Sequence, residues 1–199
     1  MVATSLIHTP GLIGIDEAGR GPLAGPVVTA AVCLPPEFDI SGINDSKQLT
    51  AADRELLAER IRKSARYAIA KASQEEIDRM NVLQATMLAM KRAYDALGME
   101  GEVLIDGNKV PYGLVGRAVV KGDSKYACIA AASILAKTER DRLMTELAAQ
   151  YPAYGFERHF GYSTPEHLAA LAEHGPSKIH RMSFAPCQPD EQLCLIFSD

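Results

Sequence analysis

GIDEAGRGPLAGPVV, residues 14–28, sets two adjacent carboxylates, Asp16 and Glu17, inside a glycine-rich and otherwise apolar run, with Arg20 held between two glycines just after them. Removing one carboxylate from water is costly unless something compensates it, and two neighbours also repel each other. Residues 12–34 read as two short strands joined by a Gly/Pro turn: LIGIDEAG leads into RGPLAGP, and VVTAAVCL is β-branched and apolar. Neighbouring strand residues face opposite sides, so an ideal strand cannot aim both acids at one point. Gly14, Gly19 and Gly21 make a bulge or an early strand end accessible, and the ladder is predicted to break at or just after Asp16.

Downstream, Pro35-Pro36 opens a loop carrying NDSKQLT, and Thr50 is a plausible N-cap for a helix to about Ala65. RYAIAKAS alternates like a strand. Ser73, followed by Glu75 and Glu76, starts one long helix that Gly98 stops. VLIDG and GRAVVKG are two further short strands. The alanine-rich DSKYACIAAASILAKTERDRLMTELAAQY is a helix ended by Pro152, and a short helix begins at Thr164-Pro165. Strands and helices interspersed in this way predict an α/β architecture: a mixed sheet flanked by helices and closed by a helical segment from about residue 151.

The 199 residues, 47% hydrophobic, suffice for one domain with a sizeable core, expected over 1–185 with a tail at 186–199. No apolar run approaches the roughly 20 residues of a membrane span, and the first residues lack the pattern of a signal peptide. A cytoplasmic protein without membrane partners is expected. Cys33, Cys128, Cys187 and Cys194 show no CxxC spacing and read as reduced thiols. A net charge of −4 argues against chain-wide affinity for nucleic acid but leaves room for a local basic surface.

Four acids sit where the chain leaves a strand or opens a helix: Asp16, Glu17, Asp106 and Asp123. Taken singly, Asp106-Gly107 also fits a turn, Asp123 or Ser124 a helix cap, and Glu17 a solvated side chain. Taken together, converging carboxylates need a cation, and oxygen-only ligands suit Mg²⁺ or Mn²⁺. Such ions serve phosphodiester hydrolysis.

GIDEAGRGPLAGPVVTAAV, NDSKQL, VLIDGN, VVKGDSKYACIAAASILAKTERD, GYSTPEHLAALAEHG and IHRMSF, in this order, closely resemble the blocks of bacterial ribonuclease HII, the type 2 ribonuclease H. The resemblance implies a ribonuclease H-like fold and hydrolysis of the RNA strand of RNA–DNA hybrids. It also implies nicking of duplex DNA 5′ of a single embedded ribonucleotide, leaving 3′-hydroxyl and 5′-phosphate ends. It maps the family's metal-binding, catalytic acids onto Asp16, Glu17, Asp106 and Asp123. The family's Gly-Arg-Gly turn falls on Gly19, Arg20 and Gly21, whose backbone would read the ribose 2′-hydroxyl. Its sugar-stacking tyrosine falls on Tyr162. One departure stands out: many members carry lysine where this chain has Phe160, so a phosphate contact is missing there or supplied by Arg158 or His159. Another ribonuclease H-like nuclease or recombinase would share the acids without needing a 2′-hydroxyl reader, and a non-catalytic module would bind hybrids without turnover.

Lys47, Lys121, Lys125, Lys178 and Arg181 are candidate phosphate contacts, whereas Lys137, Arg140 and Arg142 fit equally a solvated helix face. His159, His167, His174 and His180 are too unevenly spaced for a metal-binding helix and read as substrate contacts or surface positions. The tail stretch QLCLIF, with Gln192 and Phe197 at its ends, resembles the short peptides that dock bacterial replication and repair proteins on the sliding clamp.

Overall fold

In β1 (Ile13–Ala18), Ile13 and Ile15 turn one way and Gly14 and Asp16 the other, and this alternation sets the layers around it. The computed structural model describes residues 6–43 and 49–188. β2 (Val27–Cys33) and β3 (Arg66–Ala72) add antiparallel on one side of β1, while β4 (Val103–Asp106) and β5 (Arg117–Val119) add parallel on the other. The mixed sheet has the order β3-β2-β1-β4-β5.

On one face Ile13, Ile15, Ala31 and Ile105 pack with Met90, Ala93 and Leu97 of α3 (Val82–Leu97). On the other face Ala30 and Val32 pack with the buried start of α4 (Ala127–Gln150) and with α1 (Ala51–Ser64). All residues from Ala127 to Ala136 are buried, as expected of a helix covered on every side. Gly14, lacking a side chain, lets the α4 backbone lie very close to β1: a Cβ there would stand 2.2 Å from the Cys128 carbonyl carbon.

Thr50 caps α1 as expected, accepting from the Asp53 N–H at 3.1 Å. Ser73 and Glu76 form a capping box that opens α2 (Gln74–Met80). The expected single helix from Ser73 to Gly98 is corrected to two. Asn81, at φ 67° and ψ 160°, breaks the chain and caps α3 by accepting from Leu83 and Gln84 N–H at 3.0 and 3.1 Å. Periodicity continues across this break because Ile77 of α2 and Ala85 and Ala89 of α3 enter the same apolar cluster.

The predicted break in the ladder is also corrected. β1 stays paired with β2 through Ala18, whereas its pairing with β4 ends at Ile15 and Ile105. The sheet opens on one side of an intact strand.

The C-terminal part carries α5 (Phe156–His159) and α6 (Pro165–His174). It forms its own apolar cluster, with Tyr154 and Phe156 stacked at 5.3 Å and packed on Ala24 and Met144. Backbone bonds stitch it to the loop after β1: Leu23 N–H to Gly161 C=O at 2.8 Å, Gly25 N–H to Ile179 C=O at 2.9 Å, and Arg181 N–H to Leu23 C=O at 2.8 Å. Cys33, Cys128 and Cys187 are buried free thiols, and no helix among the described residues is long and apolar enough to cross a membrane.

Candidate active site

Where β1 outruns β4, the sheet leaves a cleft of about 210 Å³ lined by Asp16, Glu17, Asp106 and Asp123 together with Arg20, Lys137 and Tyr162. One step beyond the last paired residues, Asp16 and Asp106 stand side by side on adjoining parallel strands. Glu17 belongs to the opposite side of the pleat, but no β4 residue pairs beside it, and its carboxylate reaches the cleft round the open edge. Asp123 arrives from a single 3-10 turn, Gly122–Ser124, that precedes α4. That turn is tied to β4 because Asp106 Oδ1 accepts from Gly122 N–H at 2.6 Å. Three chain segments therefore bring four carboxylates to one place.

The electrostatics of this cluster are unfavourable as they stand. Asp16 is only 5% exposed. Burial, then the charges of Glu17 and Asp106, push its carboxyl well above the usual range, although Glu17 N–H and Ser133 both bond to it. Glu17 is also raised, chiefly by burial, despite its ion pair with the half-exposed Arg20 at 3.3 Å. Lys137 is already paired with Asp141 at 2.7 Å. An all-oxygen donor set that protein cations leave undercompensated fits a hard divalent ion. The acids line an open cleft and not a closed cage: among the described residues no three side chains already stand as a complete ligand group.

Beside the acids lies an edge of bare backbone. Gly19, at φ 96°, is required by the fold itself, since a Cβ would fall 2.0 Å from Arg140 Nε. Gly21 is different: the nearest atom to its virtual Cβ is Tyr162 Cε1 at 3.9 Å. Tyr162 is 40% exposed, with Lys137 Nζ 5.8 Å and Arg140 Cζ 5.7 Å from its ring centre.

Two guanidiniums hold this edge from below, and both were expected at the surface. Arg140 and Arg181 are fully buried. Arg140 donates to the carbonyls of Ala24, Pro26 and Phe160 at 3.0–3.1 Å. Arg181 donates to those of Gly19, Arg20 and Gly25 at 2.6–3.0 Å. Burial and the neighbouring Arg140 charge bring Arg181 down to about 9, so it stays charged at neutral pH. Carbonyl dipoles replace the water that solvated these cations.

The histidines are corrected in the same sense. His159, His167 and His180 are buried, and of the four only His174 is exposed. Ser177 N–H donates to His180 Nδ1 at 2.9 Å, which leaves the proton of His180 on Nε2. That proton goes to His167 Nε2 at 3.0 Å, and His167 Nδ1–H then donates to the Tyr162 carbonyl at 2.9 Å. Tyr162 is thus oriented by a relay beneath it. His159, bonded to Tyr154 C=O and Gly161 N–H, is not available to a phosphate. Arg158 is held by Glu157 and Glu166. The cation beside Phe160 is Lys137, 5.1 Å from its ring centre.

Ser133 and Lys137, at i and i+4 of α4, face the cleft, and Arg140, three residues further on, is buried beneath its edge. Ser133 was missed, although a lone hydroxyl in a run of buried alanines was a readable signal. Lys47 and the tail from Gln192 to Phe197 lie outside the described residues.

The family description Ribonuclease HII matches residues 13–187. The chain is 60% identical over 185 residues to the Ribonuclease HII of Dechloromonas aromatica (strain RCB), covering 91% of this chain and 94% of that one. Among solved structures it resembles the ribonuclease H2 of Pyrococcus horikoshii OT3, with TM-score 0.75, 29% identity, and 88% and 94% of the two chains covered. It also resembles a chain of the PCNA:RNase HII complex from Archaeoglobus fulgidus, with TM-score 0.73, 31% identity, and 91% and 98% covered.

Proposed function

The chain belongs to the ribonuclease HII family of hydrolytic endonucleases, and we propose that it cuts the RNA strand of RNA–DNA hybrids and nicks duplex DNA on the 5′ side of a single ribonucleotide, leaving 3′-hydroxyl and 5′-phosphate ends. The observation that carries this reading is the meeting of four acids with a bare glycine edge and an exposed aromatic ring in one cleft. In it, Asp16, Glu17, Asp106 and Asp123 hold divalent cations, Mg²⁺ or Mn²⁺. Bound there, such a cation supplies Lewis-acid stabilisation of charge at a phosphodiester.

The remaining work falls to the chain's own groups. The backbone of Gly19, Arg20 and Gly21 lies against the ribose, and Tyr162 packs on the following deoxy sugar, where an added hydroxyl would collide with the ring. Lys137 stands between Phe160, Tyr162 and the acids and contacts a phosphate in place of the lysine absent at position 160. Lys47 is a further phosphate contact. Residues from about 151 onward grip the duplex, and the enzyme works in the cytoplasm, where its substrates arise.

Incubating the protein with a DNA duplex that carries one ribonucleotide, with and without each metal, and mapping the cut tests the reading. A metal-dependent nick 5′ of the ribonucleotide is expected. Cleavage of the all-DNA duplex would mark another class of nuclease, and binding without turnover in either metal would mark a non-catalytic module. The tail after Pro189 is proposed to dock on the sliding clamp. A structural relative seen in a complex with PCNA supports this. Purified clamp should retain the full chain better than a version cut after Pro189, and equal retention would end that part of the proposal.

A further inference from the structure

Arg181 comes from the C-terminal segment, far along the chain from the Gly-Arg-Gly turn, yet its four side-chain hydrogen bonds go to two successive peptide units of that turn and to the Gly25 carbonyl. Its Nη2 donates to Gly19 C=O at 2.6 Å and its Nη1 to Arg20 C=O at 2.9 Å, while Nε and Nη2 share Gly25 C=O. In a trans peptide the C=O and N–H point in opposite directions, and no described peptide is cis. The Gly19 carbonyl shares its peptide with the Arg20 N–H, and the Arg20 carbonyl shares its peptide with the Gly21 N–H. Drawing both carbonyls inward therefore turns both N–H groups outward, on the side where Gly19 and Arg20 line the cleft. Among the described residues neither N–H has an intramolecular acceptor. At Gly21 the absence of a side chain serves no packing need inside the protein.

We propose that Arg181 is a positioning residue for substrate discrimination: it presets the Arg20 and Gly21 N–H groups as paired donors to an oxygen of the sugar that distinguishes a ribonucleotide from a deoxyribonucleotide. The inference rests on the functional reading above and adds to it the group that holds the reader in shape. Buried and bonded to rigid carbonyls, the guanidinium makes this edge ready before substrate arrives, so little ordering remains to be done on binding. Lysine keeps the charge but replaces the planar fork with a single point of donation.

The test compares two duplexes identical except for one ribonucleotide, bound by the full chain carrying Asp106→Asn to suppress turnover, with and without Arg181→Lys. Fluorescence anisotropy should show the preference for the ribonucleotide duplex falling by about tenfold, the scale of a lost hydrogen bond or two, with affinity for the all-DNA duplex unchanged. Parallel loss on both duplexes, as expected if the N–H groups meet a phosphate or if Arg181 only supports the fold, overturns the proposal. So does an unchanged ratio. Amide exchange in the parent chain without nucleic acid provides a second arm that needs no variant to fold: Arg20 and Gly21 should exchange fast while Gly25, bonded to Ile179, exchanges slowly. Protection at Arg20 or Gly21 overturns the preset orientation. A parent chain with no preference for the ribonucleotide overturns the functional reading, and it overturns the assigned ligand of these N–H groups with it.

Discussion

Gly19 and Gly21 are two residues apart and do different things. An alanine at position 19 would need φ near 96° and would run into Arg140 and the Pro26 carbonyl, so Gly19→Ala should lose about 3 kcal/mol in a denaturant melt. At position 21 there is room for a methyl group. Gly21→Ala should melt within about 0.5 kcal/mol of the parent, yet, on the proposed reading, lose activity on the ribonucleotide duplex by on the order of a hundredfold, because the added Cβ would take space proposed for the sugar. A stability loss equal to that of Gly19→Ala would show that the fold and not a ligand demands this glycine. Asp106→Asn makes the complementary point. Asparagine Oδ1 can still accept from Gly122 N–H, so the melting temperature should hold while turnover falls by orders of magnitude in a metal-supplemented assay.

The elements owe their limits to a few polar residues that hydropathy does not weigh. Asn81 occupies a backbone region that favours glycine and repays it by capping α3 with two hydrogen bonds. Asn81→Ala keeps the strain and loses the cap, and should cost about 1–2 kcal/mol. Asn81→Gly relieves the strain and should cost far less, a contrast that thermal melting of the two variants resolves. The starts of α1, α2 and α6 could be read from Thr50, Ser73 with Glu76, and Thr164 with Pro165, because a cap is a contact between near neighbours. The split at Asn81 could not, since the apolar pattern runs on across it from Ile77 to Ala85 and Ala89, and a single asparagine costs an exposed helix too little to mark a break by itself. β1 teaches the same lesson. Its two acids suggested a broken strand, but the structure shortens the neighbour β4 instead, and only pairing between distant segments decides which strand stops.

Across the whole molecule, the buried histidine relay links the C-terminal segment to the floor of the cleft and makes stability depend on pH. His180 is lowered to about 4, first by burial and then by His167, and His167 is lowered chiefly by burial. Unfolded, both titrate near about 6.5. Below that pH the unfolded chain takes up protons that the folded relay refuses, so the contribution is intact above about 6.5 and is lost as pH falls towards 4. Asp16 and Glu17, raised in the fold, act in the opposite direction. The histidine part is therefore read as a difference: His180→Gln, less stable than the parent at pH 7, should lose less further stability between pH 7 and pH 5. Metal acts on the same global balance. Mn²⁺ or Mg²⁺ should raise the melting temperature by relieving the carboxylate repulsion, and a chelator should abolish activity and return the melting temperature to its metal-free value without unfolding the chain at 25 °C.

Local order in the chain settled the alternation of strands and helices and most helix starts, and it singled out the four acids that the fold brings to one cleft, because each depends on residues within a few positions of one another or on a pattern of types that few chemistries need. It also carried the family blocks around Gly19, Arg20, Gly21 and Tyr162. Which charges face water was decided only in three dimensions. Arg140, Arg181, His167 and His180 look like surface residues in the sequence, and they lie inside because carbonyls and ring nitrogens from distant segments happen to meet them there. A polar side chain tolerates burial when its partners are in place, and those partners are brought together by the fold, not by adjacency along the chain.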